Sequence, residues 1–271
     1  MKIYLWKNCR LPFALMTAAS MGMAQAQEPE NALTYNVGVV NNYLYRGISQ
    51  TRGEPAVQGG LDYSHKSGVY VGAWASSIKW IEDYSYDSVN VGTKGAWAST
   101  SGSTELDLYG GYKFDLAPGT TVDLGYLRYE YLGNSLKNNA SYSNASTDEI
   151  HVGMSTPLFN VKFSYAMTNL FGQLTATGAN AIGATYTEFN REFDLGSGYK
   201  LTPKAGMTSN SKVTNSSYND YSLTLTKELQ QGLLLSVGYS GTNAIKGYYY
   251  SNYNGKYLGD QSAVVGLKYN F

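Results

Sequence analysis

The residues with reactive side chains in this chain are mainly carboxylates and amines that recur at alternate positions of short segments. Glu105 and Asp107 lie two positions apart, and Lys113 belongs to the same segment. Side chains of a β-strand point alternately to opposite faces, so residues two apart share a face. This spacing places charges along one face of predicted strands, where they would act on ions or solutes that pass along a lumen.

Ten residues of this polar face are the candidate functional residues. Rings of one charge sign select ions, whereas nearly balanced charges pair across a lumen or line separate tracks. With further predicted lumen charges, including Asp62, Glu188 and Lys204, the numbers of cations and anions on this face remain nearly equal. The foremost selectivity candidate is Arg46, whose alternative role is a salt bridge that holds the mouth of a barrel. The candidates are Arg46, Glu105, Asp107, Lys113, Asp123, Glu149, His151, Lys162, Lys200 and Lys268.

Signals of enzymatic chemistry are weak. The chain has only two histidines, and His151 falls on the polar face of a predicted strand. A lipid-hydrolysing dyad needs Ser and Asn held beside such a histidine. The segment 238–241 is one residue short of a nucleophile elbow and lies in a strand. We expect a non-enzymatic protein with a solvated His151, and an outer-membrane lipid hydrolase is the alternative.

Two features of the predicted loops have competing interpretations. The acidic residues Glu82, Asp83 and Asp87 offer oxygen ligands to a divalent cation. Because their spacing fits no calcium loop, a solvated loop is favoured. No metal or cofactor is predicted. Tyrosines crowd a later loop, where they either anchor at a membrane interface or stack on sugars as a binding or adhesive surface. Interface anchoring is favoured for these residues, which are Tyr248, Tyr249, Tyr250, Tyr253 and Tyr257.

The N-terminal segment has the features of a secretory signal peptide. Lys2, Lys7 and Arg10 precede an apolar stretch and an Ala-Gln-Ala cleavage site that ends at Ala26. We predict a signal peptide over 1–26 and one mature domain over 27–271. Of the 20 basic and 20 acidic residues of the chain, the mature part keeps 17 and 20, a net charge of about −3. The only cysteine, Cys9, is removed with the signal.

The mature chain is predicted to be an all-β, transmembrane, antiparallel, up-and-down β-barrel. It has no apolar run long enough for a spanning helix, and its low mean hydropathy of −0.31 fits strands of which only alternate residues meet lipid. About twelve alternating segments occur, and five short and six long connections separate them in strict alternation. Two more strands between residues 84 and 103 would give fourteen. A secreted β-sandwich or lipocalin-like barrel is the soluble alternative.

The last segment shows the alternation most clearly. Ala263, Val265 and Leu267 share one face with the terminal Phe271, and Lys268 lies on the other face. This apolar face with aromatic ends is typical of a strand of a membrane barrel. The ending also resembles the C-terminal signature that the outer-membrane assembly machinery reads, so we expect that machinery to be a partner.

The segment Asn42-Tyr43-Leu44-Tyr45-Arg46-Gly47-Ile48-Ser49-Gln50-Thr51, with the strands that follow it, resembles the opening of the TorF family, a proteobacterial group regarded as porins. The resemblance extends over the mature chain and is most specific in its first 50 residues. It implies a location in the outer membrane of Gram-negative bacteria, and it supplies no substrate.

Taken together, these observations predict a porin for passive diffusion of small hydrophilic solutes, in contact with outer-membrane lipid and lipopolysaccharide. The alternative is a closed barrel that binds surface ligands through its tyrosine-rich loops. No basic stripe suggests nucleic acid.

Overall fold

The structure, a computed structural model, describes residues 31–95 and 100–271. The predicted signal peptide and Cys9 lie outside the described residues. Within them, two short helices occur, α1 (Trp80–Asp83) and a 3₁₀ turn over Leu136–Asn138. None of the described helices is long and apolar enough to cross a membrane.

Seventeen strands make up most of the described chain. Their bounds are β1 (Ala32–Val40), β2 (Leu44–Tyr45), β3 (Ile48–Ser49), β4 (Ala56–Ser64), β5 (Val69–Ser77), β6 (Thr104–Ala117), β7 (Thr120–Leu132), β8 (Thr147–Ser155), β9 (Asn160–Ala166), β10 (Asn169–Leu174), β11 (Asn180–Ile182), β12 (Thr185–Asn190), β13 (Phe193–Gly196), β14 (Tyr199–Ser209), β15 (Tyr218–Gln230), β16 (Leu233–Thr242) and β17 (Ser262–Asn270).

Twelve of these strands form a closed antiparallel barrel. In the order β1, β4, β5, β6, β7, β8, β9, β12, β14, β15, β16 and β17, each pairs with the next, and β17 pairs back to β1. The predicted all-β, up-and-down barrel of about twelve strands is therefore confirmed. β13 is an additional short strand at the edge of β14. The β2–β3 and β10–β11 pairs form separate hairpins in the loops.

The connections sort by length to the two ends of the barrel. Both ends of the described chain lie at one end, here called the turn end, together with the short connections. The long connections meet at the opposite end, the loop end. The two additional barrel strands considered for residues 84–103 do not occur in the described part of that segment. Tyr86 and Lys94 form only an isolated bridge there. The long connections are 41–55, 78–103, 133–146, 167–184, 210–217 and 243–261.

The barrel has an apolar exterior and a polar interior. Large apolar side chains on alternate strand positions are exposed, such as Val37 (45%) and Leu223 (49%). Carboxylates are among the most buried groups, with Glu105 at 1% and Glu149 at 3% exposure. A soluble protein buries apolar side chains and exposes charged ones, so this inverse distribution matches a membrane barrel.

Two predicted strands differ from the structure at their ends. We expected the first strand to continue to Arg46, but β1 ends at Val40, and Arg46 has a φ of 46° in a tight hairpin. The eighth barrel strand is interrupted after Asn190, beside Pro203 on β14. Proline cannot donate a backbone hydrogen bond, so the ladder breaks there and resumes at β13.

Neighbouring residues of β1 allow a test of the two faces. We expect Val37→Lys, which places a charge on the apolar exterior, to destabilise the barrel by about 2–4 kcal/mol. Asn36→Lys, the matched control on the interior face, should change stability much less. Urea unfolding in lipid vesicles, followed by the heat-dependent shift in gel mobility, measures both. Equal destabilisation by the two substitutions would contradict the assignment of faces.

Candidate functional site

The first long connection folds back into the barrel. Residues 41–55, here called the inner hairpin, contain β2 and β3. Tyr43, Tyr45 and Arg46 are buried, with 2%, 4% and 6% exposure. At its tip, Gly47 has a φ of 78°, and a methyl group there would overlap Thr242 of β16. Glycine suits this position because the backbone is left-handed and lies close to the opposite wall.

Two side chains of the inner hairpin, Tyr43 and Arg46, attach it to the barrel wall. The Tyr43 hydroxyl donates to Glu105 of β6 at 2.5 Å. Arg46 Nη2 donates to both carboxylate oxygens of Glu149 of β8, at 2.8 and 2.9 Å. The guanidinium also lies over the rings of Tyr45 and Tyr186, 4.7 and 4.1 Å from their centroids. Arg46 is therefore held by an ion pair and two aromatic faces.

A set of buried charges continues from Arg46 across the interior. Lys204 of β14 lies 3.7 Å from Glu188 of β12 and 3.3 Å from Asp220 of β15. Lys162 of β9 interacts electrostatically with Glu188 and Glu149. Three cations and three anions thus meet at one level of the barrel. This set, here called the charged belt, comprises Arg46, Lys162, Lys204, Glu149, Glu188 and Asp220.

Part of this belt was not predicted from the sequence. Asp220 was not among the predicted lumen residues, although the same alternation places it opposite the exterior Tyr221. The folding of the inner hairpin into the barrel was also not predicted. Tyr43 and Tyr45 carried no distinguishing pattern, because their burial depends on wall residues about 60 to 85 positions away, as with Glu105 and Tyr129.

Three other predicted residues come together nearer the turn end. The Tyr70 hydroxyl donates to Asp123 at 2.8 Å, and Nε2 of His151 lies 3.5 Å from Asp123. The Lys113 ammonium lies 4.9 Å from the centroid of the Tyr70 ring. A methyl group on Gly125 would overlap both His151 and the Tyr70 hydroxyl, so this cluster requires glycine there. His151 therefore faces the interior of the barrel, beside the carboxylate of Asp123.

The remaining predicted residues are spread over the interior. Asp107 is 2% exposed, and its Oδ1 has no hydrogen-bond partner among the described residues. Lys200 lies 2.6 Å from Glu192, near the turn end. Lys268 interacts electrostatically with Asp62. The interior therefore contains separate groups of charges rather than a ring of one sign.

The acidic residues of the second long connection serve to join loops. Arg52 Nε lies 2.8 Å from Asp83 Oδ1, and Ser251 of the last long connection donates to the same oxygen at 2.8 Å. Burial raises the pKa of Asp83 to about 6, and the charge of Arg52 opposes that rise. Asp87 is partly exposed and accepts from two backbone N–H groups of its own turn. No three-residue metal-ligand group occurs among the described residues.

A cavity of about 100 Å³ lies at the loop end, above Arg46. Residues from all six long connections or the strand ends beside them line it. We call it the loop cavity. Tyr248, Tyr249 and Tyr250, which we expected at a membrane interface, face this cavity instead, because their loop folds over the barrel. Arg46 lies both at its floor and in the charged belt.

The closed barrel with a charged interior defines a porin-type fold. A NanC porin is similar, with a TM-score of 0.53 and 11% identity over 89% of this chain and 99% of the porin. An outer membrane channel from Pseudomonas putida F1 is also similar, with a TM-score of 0.54 and 12% identity over 93% of this chain and 98% of the channel. At these identities the likeness shows a shared fold.

The chain belongs to the Gcw_chp family, described as bacterial proteins of unknown function, whose model matches residues 23–271. Comparison with curated proteins gives no match.

The Arg46–Glu149 pair makes a prediction about stability. Removing one partner of a buried ion pair leaves the other charge uncompensated, which costs about 3–5 kcal/mol. We expect Arg46→Met or Glu149→Met alone to destabilise the barrel by about this amount, and the double variant to be closer to wild type. Urea unfolding in detergent micelles measures all three. Additive losses in the double variant would show that the two side chains are not coupled.

Proposed function

We propose that this protein is an outer-membrane porin through which small hydrophilic solutes diffuse passively. The observation that carries the proposal is the closed ring of strands with an apolar exterior and a charged interior. Such a ring satisfies every strand hydrogen bond within lipid, and it offers polar groups to a solute only on the inside. A barrel of twelve strands lies between those that fill with side chains and those that hold wide channels.

The inner hairpin sets the narrowest level of the proposed pathway. Arg46 reaches Glu149 across the interior at the level of the charged belt. Solutes would pass at this level when the inner hairpin shifts within the lumen. The belt has equal numbers of cations and anions, so we propose weak charge selectivity in the wild-type protein.

The proposed location brings further partners. The signal peptide over 1–26 would direct export from the cytoplasm of a Gram-negative bacterium, and assembly machinery would read the strand that ends at Phe271. The long loops would face lipopolysaccharide at the cell surface. The similarity of residues 42–51 to the TorF family supports this location, and we propose that the chain belongs to the porin group that this family name denotes.

Planar-bilayer recordings test the pore and its constriction. Wild-type protein should give stepwise conductance with weak ion selectivity. Arg46→Gln removes a cation from the belt, so its reversal potential should shift toward cation selectivity. Glu149→Gln, a matched control of opposite charge, should shift it toward anion selectivity, because Arg46 then lacks its anion. Both variants loosen the inner hairpin and should conduct more than the wild type.

Two results would contradict this proposal. Absence of conductance steps, under conditions where a reference porin conducts, would reject the pore. Equal reversal potentials for both variants would place the narrow level away from Arg46. Swelling of liposomes in neutral, anionic and cationic solutes of graded size measures the pore width independently.

The second candidate function is a closed barrel that binds surface ligands through its loops. The loop cavity, with three tyrosines of the last long connection in its wall, is the observation that favours it. Deleting the tip of that loop separates the two functions. A pore keeps conducting after the deletion, whereas a binding module loses its ligand.

A further inference from the structure

The wall of the loop cavity is unusually rich in aromatic rings. The rings that contribute to it include those of Tyr45, Trp80, Tyr84, Phe171, Tyr218 and Tyr249. Several of these rings meet edge to face, such as Tyr45 and Phe171 at 5.0 Å between centroids and Tyr218 and Tyr249 at 5.1 Å. Interlocked rings of this kind are fixed in position. They present flat apolar surfaces with polar tips, which suits a ligand with an apolar ring face and a polar edge.

The charged groups of the cavity already have partners. Arg46 is paired with Glu149 at 2.8 Å, and Asp83 with Arg52 at 2.8 Å. A charged ligand would have to compete with these buried pairs and would leave one of their members uncompensated. The cavity therefore favours a ligand without net charge.

Trp80, which lines the cavity, carries an unused hydrogen-bond donor. Trp80 Nε1 is buried and has no acceptor among the described residues. A buried donor without a partner is costly, so a ligand oxygen that reached Nε1 after a small shift of the surrounding side chains would be favoured. Gln50, Gln173 and Asn252 also line the cavity, and each of their amides makes a hydrogen bond within the protein through one of its two polar atoms. Amides both donate and accept, as hydroxyl groups do, so the polar lining matches a ligand with several hydroxyls.

We propose that the loop cavity binds one ring of a neutral sugar, which would be a solute that the pore admits. This inference rests on the proposed porin function and names the class of its solute. The cavity, at about 100 Å³, exceeds several-fold the roughly 10–15 Å³ that one water needs on the same measure. A cavity of this size suits one sugar ring rather than a chain of several sugars.

Isothermal titration calorimetry on detergent-solubilised protein tests the inference without requiring conduction. The probes are D-glucose and D-galactose, the linear polyol D-glucitol, the anion D-glucuronate and the cation D-glucosamine. We expect a neutral ring sugar to bind about tenfold more tightly than D-glucitol, which lacks a ring face. The proposal would be overturned if D-glucitol bound as tightly as the neutral ring sugars, or if either charged sugar bound more tightly than they do. It would also be overturned if neither neutral ring sugar bound.

Variants of Tyr248 and Trp80 identify the site. Tyr248 lines the cavity, and its ring stacks edge to face on Tyr249. We expect Tyr248→Ala to weaken sugar binding about tenfold and Tyr248→Phe to retain it. Trp80→Phe keeps a ring but removes the donor, so it should also weaken binding. The control is Tyr253→Ala in the same loop, whose ring instead contacts Tyr86 and Arg52.

The outcomes separate this inference from the porin proposal. Unchanged affinity in both Tyr248→Ala and Trp80→Phe would place any sugar elsewhere and overturn the inference. Conductance without sugar binding would overturn it and leave the pore intact. Sugar binding without conductance would support the site and reject the pore. If Tyr248→Ala does not fold, as shown by its gel mobility before heating, Trp80→Phe and Tyr248→Phe give the comparison.

Discussion

The structure depends on the pairing of every strand in a closed ring. In hydrocarbon, no water is available to an unpaired backbone N–H or C=O group, so an open sheet edge is strongly unfavourable. The pairing of β12 with β14 and of β1 with β17 removes both edges. Once the ring is closed, the side-chain alternation of each strand divides the protein into an exterior and an interior. The apolar exterior and the charged interior both follow from this division.

An interior of this kind creates a second requirement, because buried charges must be compensated. The belt meets it by pairing residues from separate strands, as Lys204 does with Glu188 and Asp220. Glu149 receives its hydrogen-bonded ion-pair partner, Arg46, from the inner hairpin. The hairpin therefore has an electrostatic reason to lie inside the barrel. Its position inside the barrel brings a cation to the buried charge of Glu149.

The barrel was predictable from the sequence because its pattern is local. Alternation within β6 or β17 identifies a strand without knowledge of its neighbours. The alternation of short and long connections indicates that consecutive strands run up and down the barrel. The break beside Pro203 follows from the chemistry of one residue. The position of Arg46 was not predictable in this way. The alternating pattern continued past Val40, while the contact that determines the position, with Glu149, joins residues 103 positions apart.

The loop cavity was still less accessible to sequence reasoning, because it exists only where six connections converge. The pattern of Tyr248, Tyr249 and Tyr250 is compatible with a membrane interface, which the sequence favoured, and with a binding surface. What distinguishes the two is the packing of the last long connection over the barrel, where Ser251 donates to Asp83, the partner of Arg52. No single segment of the sequence contains that information.

Arg46 lines the loop cavity and also belongs to the charged belt, and this shared position would limit how tightly a transported solute could bind. A solute in the cavity would rest on the segment that narrows the pathway. Conduction requires binding that is favourable enough for entrance and weak enough for release. A tightly held sugar would stabilise the inner hairpin in its closed position and would block passage. A porin with this arrangement would therefore need a weak site. Aromatic and uncharged contacts would provide one, because they add no new ion pair to the Arg46–Glu149 bridge.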